Sequence, residues 1–225
     1  MDFSPFWISI KTAFASTAIT FFLGIGAAWI IANSKSRLKG FWDAAATIPM
    51  VLPPTVVGYI LLLIFGKNTA LGHIVNSLGV HIVFTWTATV VAAVVVSFPL
   101  MYKTARGAFE QVDENYVNAA KTLGASGFKI FFKVILPLSW PGVIAGVILA
   151  FARALGEFGA TIMLAGNISG VTSTMPVSIY FLVTSGRDKE AAVWVLIIMS
   201  ISLGVMLAMN LWLDRYAAKI KGGKR

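Results

Sequence analysis

Two oppositely charged side chains lie in an apolar stretch of this sequence. Arg153 and Glu157 are four positions apart within residues 151–161, which otherwise consist of apolar and small residues. On one helix, side chains at this spacing share a face and can form an ion pair. Each charge costs roughly 2.5–3.5 kcal/mol at the centre of a bilayer, so the pair must face protein or water. It either fixes helix packing or lines the path of a polar solute. Because Glu157 cancels the charge of Arg153, we expect no permanent anion-binding site.

A second group combines prolines with a hydroxyl side chain, and its members are Pro49, Pro53, Pro54 and Thr55. Each proline removes a backbone donor and breaks a helical hydrogen bond. Irregular backbone inside a membrane is tolerated only against protein or a water-filled cavity. We interpret this bend either as part of the translocation path or its gate, or as a structural kink whose free carbonyls are bonded by Thr47 or Thr55.

Other kinds of chemistry find little support in the sequence. The histidines are His73 and His81 alone and there is no cysteine, which is too few ligands for a metal site. Residues 124–129 are rich in glycine but lack the G-x4-G-K-[ST] spacing of a nucleotide-binding loop. We therefore assign no catalytic residue, metal ligand or cofactor to this chain. If it supports active transport, the energy must come from another protein.

Composition places the chain in a membrane. Of its 225 residues 58% are hydrophobic and 12% charged, with a mean hydropathy of +0.83, whereas soluble domains are about 25% charged. Apolar runs of about 20 residues recur, which is the length of a membrane-crossing helix. The sequence predicts an all-α integral membrane protein, one domain over residues 1–225, with about five spans. The predicted spans are about 8–32, 43–65, 82–101, 141–165 and 191–213. Residues 176–185 are too few to cross and are predicted to form a surface or re-entrant helix.

Small residues recur at every fourth position of the predicted fourth span, at Gly142, Gly146 and Ala150. Such a seam lets a second helix approach closely. It could pack against another span of the same chain or against a second copy of the chain.

The basic residues predict the orientation in the membrane. The net charge is +9, and lysines and arginines concentrate in the loop 34–40, in the region 103–137 and in the tail after residue 213. Basic residues mark the cytoplasmic side of membrane proteins. The loop 103–137 and the C-terminus are therefore predicted to be cytoplasmic, and the N-terminus to be outside, in a multi-pass protein of the cell membrane.

Residues 111–137 form a long polar interruption of the apolar sequence. Asp113 or Glu114 can cap a short helix, and Gly124 can end it in the left-handed conformation. The apolar positions of this helix recur with helical spacing at Tyr116, Ala119, Ala120 and Leu123. A helix of roughly ten residues is marginal by itself in water. We therefore expect it to bind a surface.

A second amphipathic helix is predicted to follow, beginning at Ser126 and ending at Pro137. At helical spacing its large apolar residues share one face, and they are Phe128, Phe131, Phe132 and Ile135. Lys129 and Lys133 flank this face. The pattern is typical of a helix that lies at a membrane surface.

The spacing within this region resembles a known loop. Asn118, Ala119 and Ala120 are followed after three residues by Gly124, and after nine more by residues 134–137. This is similar to the EAA loop of binding-protein-dependent ABC importer permeases, although Asn118 stands where that family usually has Glu. The resemblance implies a coupling helix that binds in a cleft of a separate ATPase. It gives an ATPase-coupling role to Tyr116, Asn118, Ala119, Ala120, Leu123, Gly124 and Pro137. The alternative is an ordinary cytoplasmic loop between two spans.

Further stretches, at residues 52–59, 97–101, 119–125 and 151–161, resemble the permeases of molybdate ABC transporters. The resemblance implies a type I ABC importer transmembrane domain that moves molybdate or a similar oxyanion into the cell. It also implies a homodimer, two ATPase subunits that bind ATP and Mg²⁺, and an extracytoplasmic molybdate-binding protein. Sulfate and tungstate permeases share much of this pattern. From a different class, an ATP-independent oxyanion carrier or channel remains an alternative.

Overall fold

The fold is known from a computed structural model, which describes residues 2–34, 36–67, 69–79 and 81–222. Within these residues the chain forms helices and no strands, which confirms the all-α prediction. The helices are α1 (Ser4–Asn33), α2 (Lys39–Val51), α3 (Pro54–Phe65), α4 (Ala70–Ser77), α5 (Trp86–Glu110), α6 (Glu114–Thr122), α7 (Gly127–Leu138), α8 (Trp140–Leu155), α9 (Gly159–Ala165), α10 (Met175–Thr184) and α11 (Asp188–Gly222).

Three of these helices, α1, α5 and α11, are each long and apolar enough to cross a membrane. Two further pairs meet that test only together, because each of their helices alone is too short. Helices α2 and α3 meet at an angle of 111°, and α7 and α8 meet at 75°. Counting each bent pair as one span gives five. Neither of the predicted spans 43–65 and 141–165 is one continuous helix, and the prolines already predict a bend in the first of them. The first is interrupted at Leu52 and Pro53, and the second is interrupted at residues 156–158.

Helix α5 lies at the centre of the bundle, with α1 and α8 packed along it. Of its most apolar 18-residue window 61% is buried, against 6% for α11. Small residues let the neighbours approach closely. A Cβ atom on Gly24 of α1 would lie 2.6 Å from Met101 Cγ, and one on Gly146 of α8 would lie 3.1 Å from Met101 Sδ. The seam on α8 thus packs against a helix of the same chain, the first of the two alternatives.

A second close crossing joins the two interrupted segments. Helix α9 packs against α3 and also contacts α5. A Cβ atom on Gly58 would lie 2.7 Å from Ala160 Cα, and one on Gly159 would lie 2.9 Å from Pro54 Cβ. Only glycine allows backbones to approach this closely. The start of α3 is therefore held directly against the start of α9.

The short helix α10 packs against α1 and α11, where the sequence predicts a surface or re-entrant helix. The N–H of Met175 donates a 2.8 Å hydrogen bond to Ser9 Oγ in α1. Trp194 of α11 is buried beside Met175 and Leu155. Most of α11 lies beyond this contact, and its exposed apolar face is suited to lipid or to another subunit.

Candidate functional site

Helix α6 has the ends that the sequence predicts. Asp113 Oδ1 accepts a 2.8 Å hydrogen bond from the N–H of Asn115, which confirms the cap. Glu114 in the first turn and Lys121 in the last turn have the charges that the helix dipole favours. After the helix, Gly124 adopts a φ of +75°, a conformation in which glycine avoids steric strain. The chain therefore specifies this short helix locally.

No residue of α6 is buried. Tyr116, Asn118, Ala119 and Leu123 are exposed, and Leu123 reaches 86% of its full exposure. We call these four residues the α6 surface. Ala120 departs from the predicted apolar face, because it is partly buried against the core with Val117. The inner side of α6 is thus held by the bundle, and the α6 surface has no covering within the described residues.

Helix α7 begins as predicted but does not keep one apolar face. Ser126 Oγ accepts a 3.4 Å hydrogen bond from the N–H of Lys129. Its middle, Phe131–Ile135, is a π-helix, and the wider turn changes the angular spacing of side chains. Phe131 and Ile135 are buried while Phe128 and Phe132 are exposed, so the predicted common face is wrong. Pro137 lies in the final turn, which ends at Leu138.

An open cleft of about 640 Å³ lies beside α6. Its walls come from the C-terminal end of α5, from Tyr116 of α6 and from the start of α8. Lys103, Gln111 and Asp113 supply polar atoms to this cleft, and Pro141 is among its apolar residues. Because the cleft continues from Tyr116, a partner bound to the α6 surface could also place a side chain in it.

A charged cluster that the sequence analysis missed joins α2 to α5. Asp43 accepts a 2.7 Å hydrogen bond from the Tyr102 hydroxyl and bonds of 2.9 and 3.0 Å from Lys103 Nζ. It also forms an ion pair with Arg106, whose Nε donates a 2.8 Å bond to Glu110 Oε1. A signal was present, because Lys103, Arg106 and Glu110 recur with helical spacing and Asp43 precedes an apolar run. Their separation in the sequence concealed the contact.

Arg153 and Glu157 do form an ion pair, but not on one helix. Helix α8 ends at Leu155, and Glu157 lies in the break before α9. Arg153 Nη1 is 2.6 Å from Glu157 Oε2, and within the described residues this oxygen has no other polar partner. Glu157 Oε1 accepts a 2.7 Å bond from the N–H of Ala160, so the carboxylate also caps α9. The Arg153 side chain is 30% exposed and that of Glu157 only 2%.

The structure brings the start of α3 beside the segment that follows Glu157. Pro54 begins α3 and lies against Gly159, two residues after Glu157. Pro53 and Thr55 are exposed near the same crossing. Pro49 instead lies inside α2, which continues to Val51. Thr47 does not bond a carbonyl freed by proline, because its hydroxyl donates to the carbonyls of Asp43 and Ala44.

Comparisons with known proteins agree with this arrangement. A permease named "Molybdenum transport system permease protein ModB" from Escherichia coli (strain K12) is 40% identical over 218 residues, covering 96% of this chain and 94% of that protein. The "Probable sulfate transport system permease protein cysT" of Chlorokybus atmophyticus is 33% identical over 92% of this chain and 72% of its own length.

The fold also matches a solved structure. The MetNI methionine ABC transporter in an inward-facing conformation superposes with a TM-score of 0.75 at 15% identity, and 94% of each chain is covered. A family model described as "Binding-protein-dependent transport system inner membrane component" matches residues 21–221. This chain therefore belongs to the family of inner membrane components of binding-protein-dependent transport systems.

Proposed function

We propose that this chain is the permease subunit of an ATP-driven importer of molybdate or a similar tetrahedral oxyanion. The assignment of the substrate rests on the 40% identity to the Escherichia coli molybdenum permease over 96% of this chain. A separate ATPase would bind ATP and Mg²⁺ and act on the α6 surface. The assembly would contain two copies of this chain, two ATPase subunits and an extracytoplasmic binding protein.

The exposure of the α6 surface supports the ATPase contact. Tyr116 and Leu123 leave large apolar side chains uncovered beside the exposed Ala119. Aromatic anchors surrounded by smaller contacts are typical of binding hot spots. The membership of the chain in a family of transport-system components supports a partner protein, and we propose the α6 surface as its binding site. On this proposal α6, the C-terminus and the basic loops lie in the cytoplasm, and the N-terminus lies outside.

The crossing of α3 and α9 supports a translocation path. Pro54 and Thr55 at the start of α3 lie against Gly159, two residues after Glu157 in the other break. Arg153 is partly exposed and offers a guanidinium, whose donors match oxyanion geometry. Because Glu157 neutralises it, an oxyanion would be held weakly and could leave the site. That property suits a conduit rather than a storage site.

Uptake by the assembled complex tests the proposal. The chain would be purified in complex with its ATPase and binding protein and placed in vesicles. We expect uptake of labelled molybdate only with ATP and the binding protein, and none with an ATPase variant that cannot hydrolyse ATP. Uptake that continues without the ATPase would contradict the proposal and favour the ATP-independent carrier or channel.

Sulfate is a second candidate substrate, favoured by the 33% identity to the cysT protein. Competition separates the candidates in the same vesicles. Excess unlabelled molybdate should suppress the uptake, and excess sulfate should leave it nearly unchanged. The reverse order would assign the subunit to sulfate, and suppression by tungstate alone would assign it to tungstate.

A further inference from the structure

The charged cluster around Asp43 lies between the two parts of the molecule that transport would have to connect. On one side, α5 ends at Glu110 and only residues 111–113 separate it from α6. On the other side, α2 ends at Val51, and two residues form the break between it and α3. Asp43 is the acid of α2, and its partners Tyr102, Lys103 and Arg106 all belong to α5.

We propose that Asp43 is a positioning residue that holds α2 against α5, so that both helices move together when the ATPase displaces α6. This inference rests on the proposed function. The motion would reach the break at Leu52 and Pro53 through α2. Beyond that break, Pro54 lies against Gly159 and so against the segment that carries Glu157. Asp43 thereby connects the α6 surface to the proposed path.

Few other contacts can perform this task for α2. Helix α2 has no fully buried residue, although it packs along α5. Apolar packing alone therefore holds it weakly compared with the buried helices. Hydrogen bonds with ionised partners are about twice as strong as neutral ones. The carboxylate of Asp43 is partly buried where it accepts these bonds.

The rest of the cluster orients the cations toward Asp43. Arg106 contacts both Asp43 and Glu110, and its Nη1 donates a 3.2 Å bond to the Tyr102 hydroxyl. Lys39, at the start of α2, lies 4.0 Å from Glu110 and donates a 3.0 Å bond to the carbonyl of Ala32. These contacts fix the side of α5 on which α2 lies, and Asp43 is the only member that accepts bonds from several α5 residues at once within the described chain.

The test measures coupling rather than stability alone. In vesicles containing the whole complex, Asp43→Ala should lower the oxyanion transported per ATP hydrolysed by about tenfold, the factor equal to roughly 1.4 kcal/mol of lost interaction. ATP hydrolysis should continue. Asp43→Asn keeps an acceptor for Tyr102 and should give a smaller loss, and the exposed control Asp188→Ala should leave the ratio unchanged.

A distance measurement adds a quantity that Asp43→Ala would leave unchanged if Asp43 had a purely structural role. The chain has no cysteine, so spin labels can be attached at two introduced cysteines, which replace the exposed residues Ala44 in α2 and Gln111 directly after α5. In the wild-type background the distance between the labels should stay the same with and without trapped ATP. With Asp43→Ala it should change between the two states.

The outcomes separate the two proposals. A normal transport ratio and a constant distance in Asp43→Ala would overturn this inference alone. So would a proportional fall of uptake and ATP hydrolysis at constant distance, since that indicates a structural role. If the wild-type complex carries sulfate instead of molybdate, the proposed substrate fails, and the ratio and distances are measured with sulfate.

Discussion

The α6 surface and the crossing of α3 with α9 differ in how far the chain itself covers them. Tyr116 on α6 and Leu123 directly after it are exposed, and no residue of that helix is buried. At the crossing, the backbones of Gly58 and Ala160 are so close that no side chain fits between them, and Glu157 is almost completely buried. The first region is defined locally by its caps, whereas the second exists only through contacts between distant segments.

This difference indicates where a second protein is needed. A helix of nine residues with an uncovered apolar side gains little stability from its own chain, so a partner that covers it contributes binding energy. The crossing needs no such partner, because glycine and proline contacts already fix it.

We expect the largest effect from a substitution that breaks the ion pair between Arg153 and Glu157. Arg153→Ala leaves the carboxylate of Glu157 buried without its cation, which we expect to cost about 3 kcal/mol of stability and to lower uptake. Thermal unfolding in detergent and vesicle uptake measure the two effects. Arg187→Ala, which removes an exposed pair with Glu190, should change little. Normal uptake by Arg153→Ala at normal expression would refute a role in the path.

A slightly smaller effect is expected when the α6 surface is altered. Leu123→Glu places a charge on a fully uncovered position and should leave the isolated subunit as stable as before. ATPase binding should weaken by about 2 kcal/mol, the size of an interface hot spot. Leu78→Glu, at another exposed leucine, is the matched control. Equal ATPase retention by the two variants in pull-down measurements would remove the α6 surface from the interface.

The close approach of α3 and α9 can be tested with one methyl group. Gly58→Ala forces a Cβ atom against the backbone of Ala160 and should destabilise the subunit by about 1–3 kcal/mol. Gly26→Ala has open space for the same atom and should be neutral or slightly stabilising, because alanine favours helices. Equal unfolding temperatures for both variants would show that the crossing is looser than described.

The smallest expected effect concerns the cap of α6. Asp113→Ala removes the acceptor for the N–H of Asn115 and should cost about 1 kcal/mol. Since α6 is held weakly, the loss should appear as faster amide hydrogen exchange in residues 114–122 of the free subunit. Thr122→Ala serves as a control at the other end of the helix. ATPase binding should restore slow exchange, and a cap variant that exchanges like the wild type would contradict the local account.

Local features of this fold could be predicted from the sequence, and contacts between distant segments could not. The cap and the stop of α6 depend on neighbouring residues. The sequence predicts Gly124 as the stop and Asp113 as one of two possible caps, and both are confirmed. Hydropathy measures apolarity along the chain and does not register the break at residues 156–158. The contacts of Asp43 with Lys103 and Arg106 depend on how α2 folds back along α5, which no local pattern specifies. The π-helix in α7, in which Phe131 and Ile135 are buried, likewise has no local pattern that predicts it.

The most direct test of the account is a single introduced cysteine at the α6 surface. The chain has no cysteine of its own, so Leu123→Cys carries the only reactive thiol of the subunit. In intact cells we predict that this thiol resists a membrane-impermeant reagent added outside and cross-links to the ATPase subunit in the assembled complex. Labelling from outside, or a complex in which the thiol remains freely reactive and forms no cross-link to the ATPase, would contradict the account.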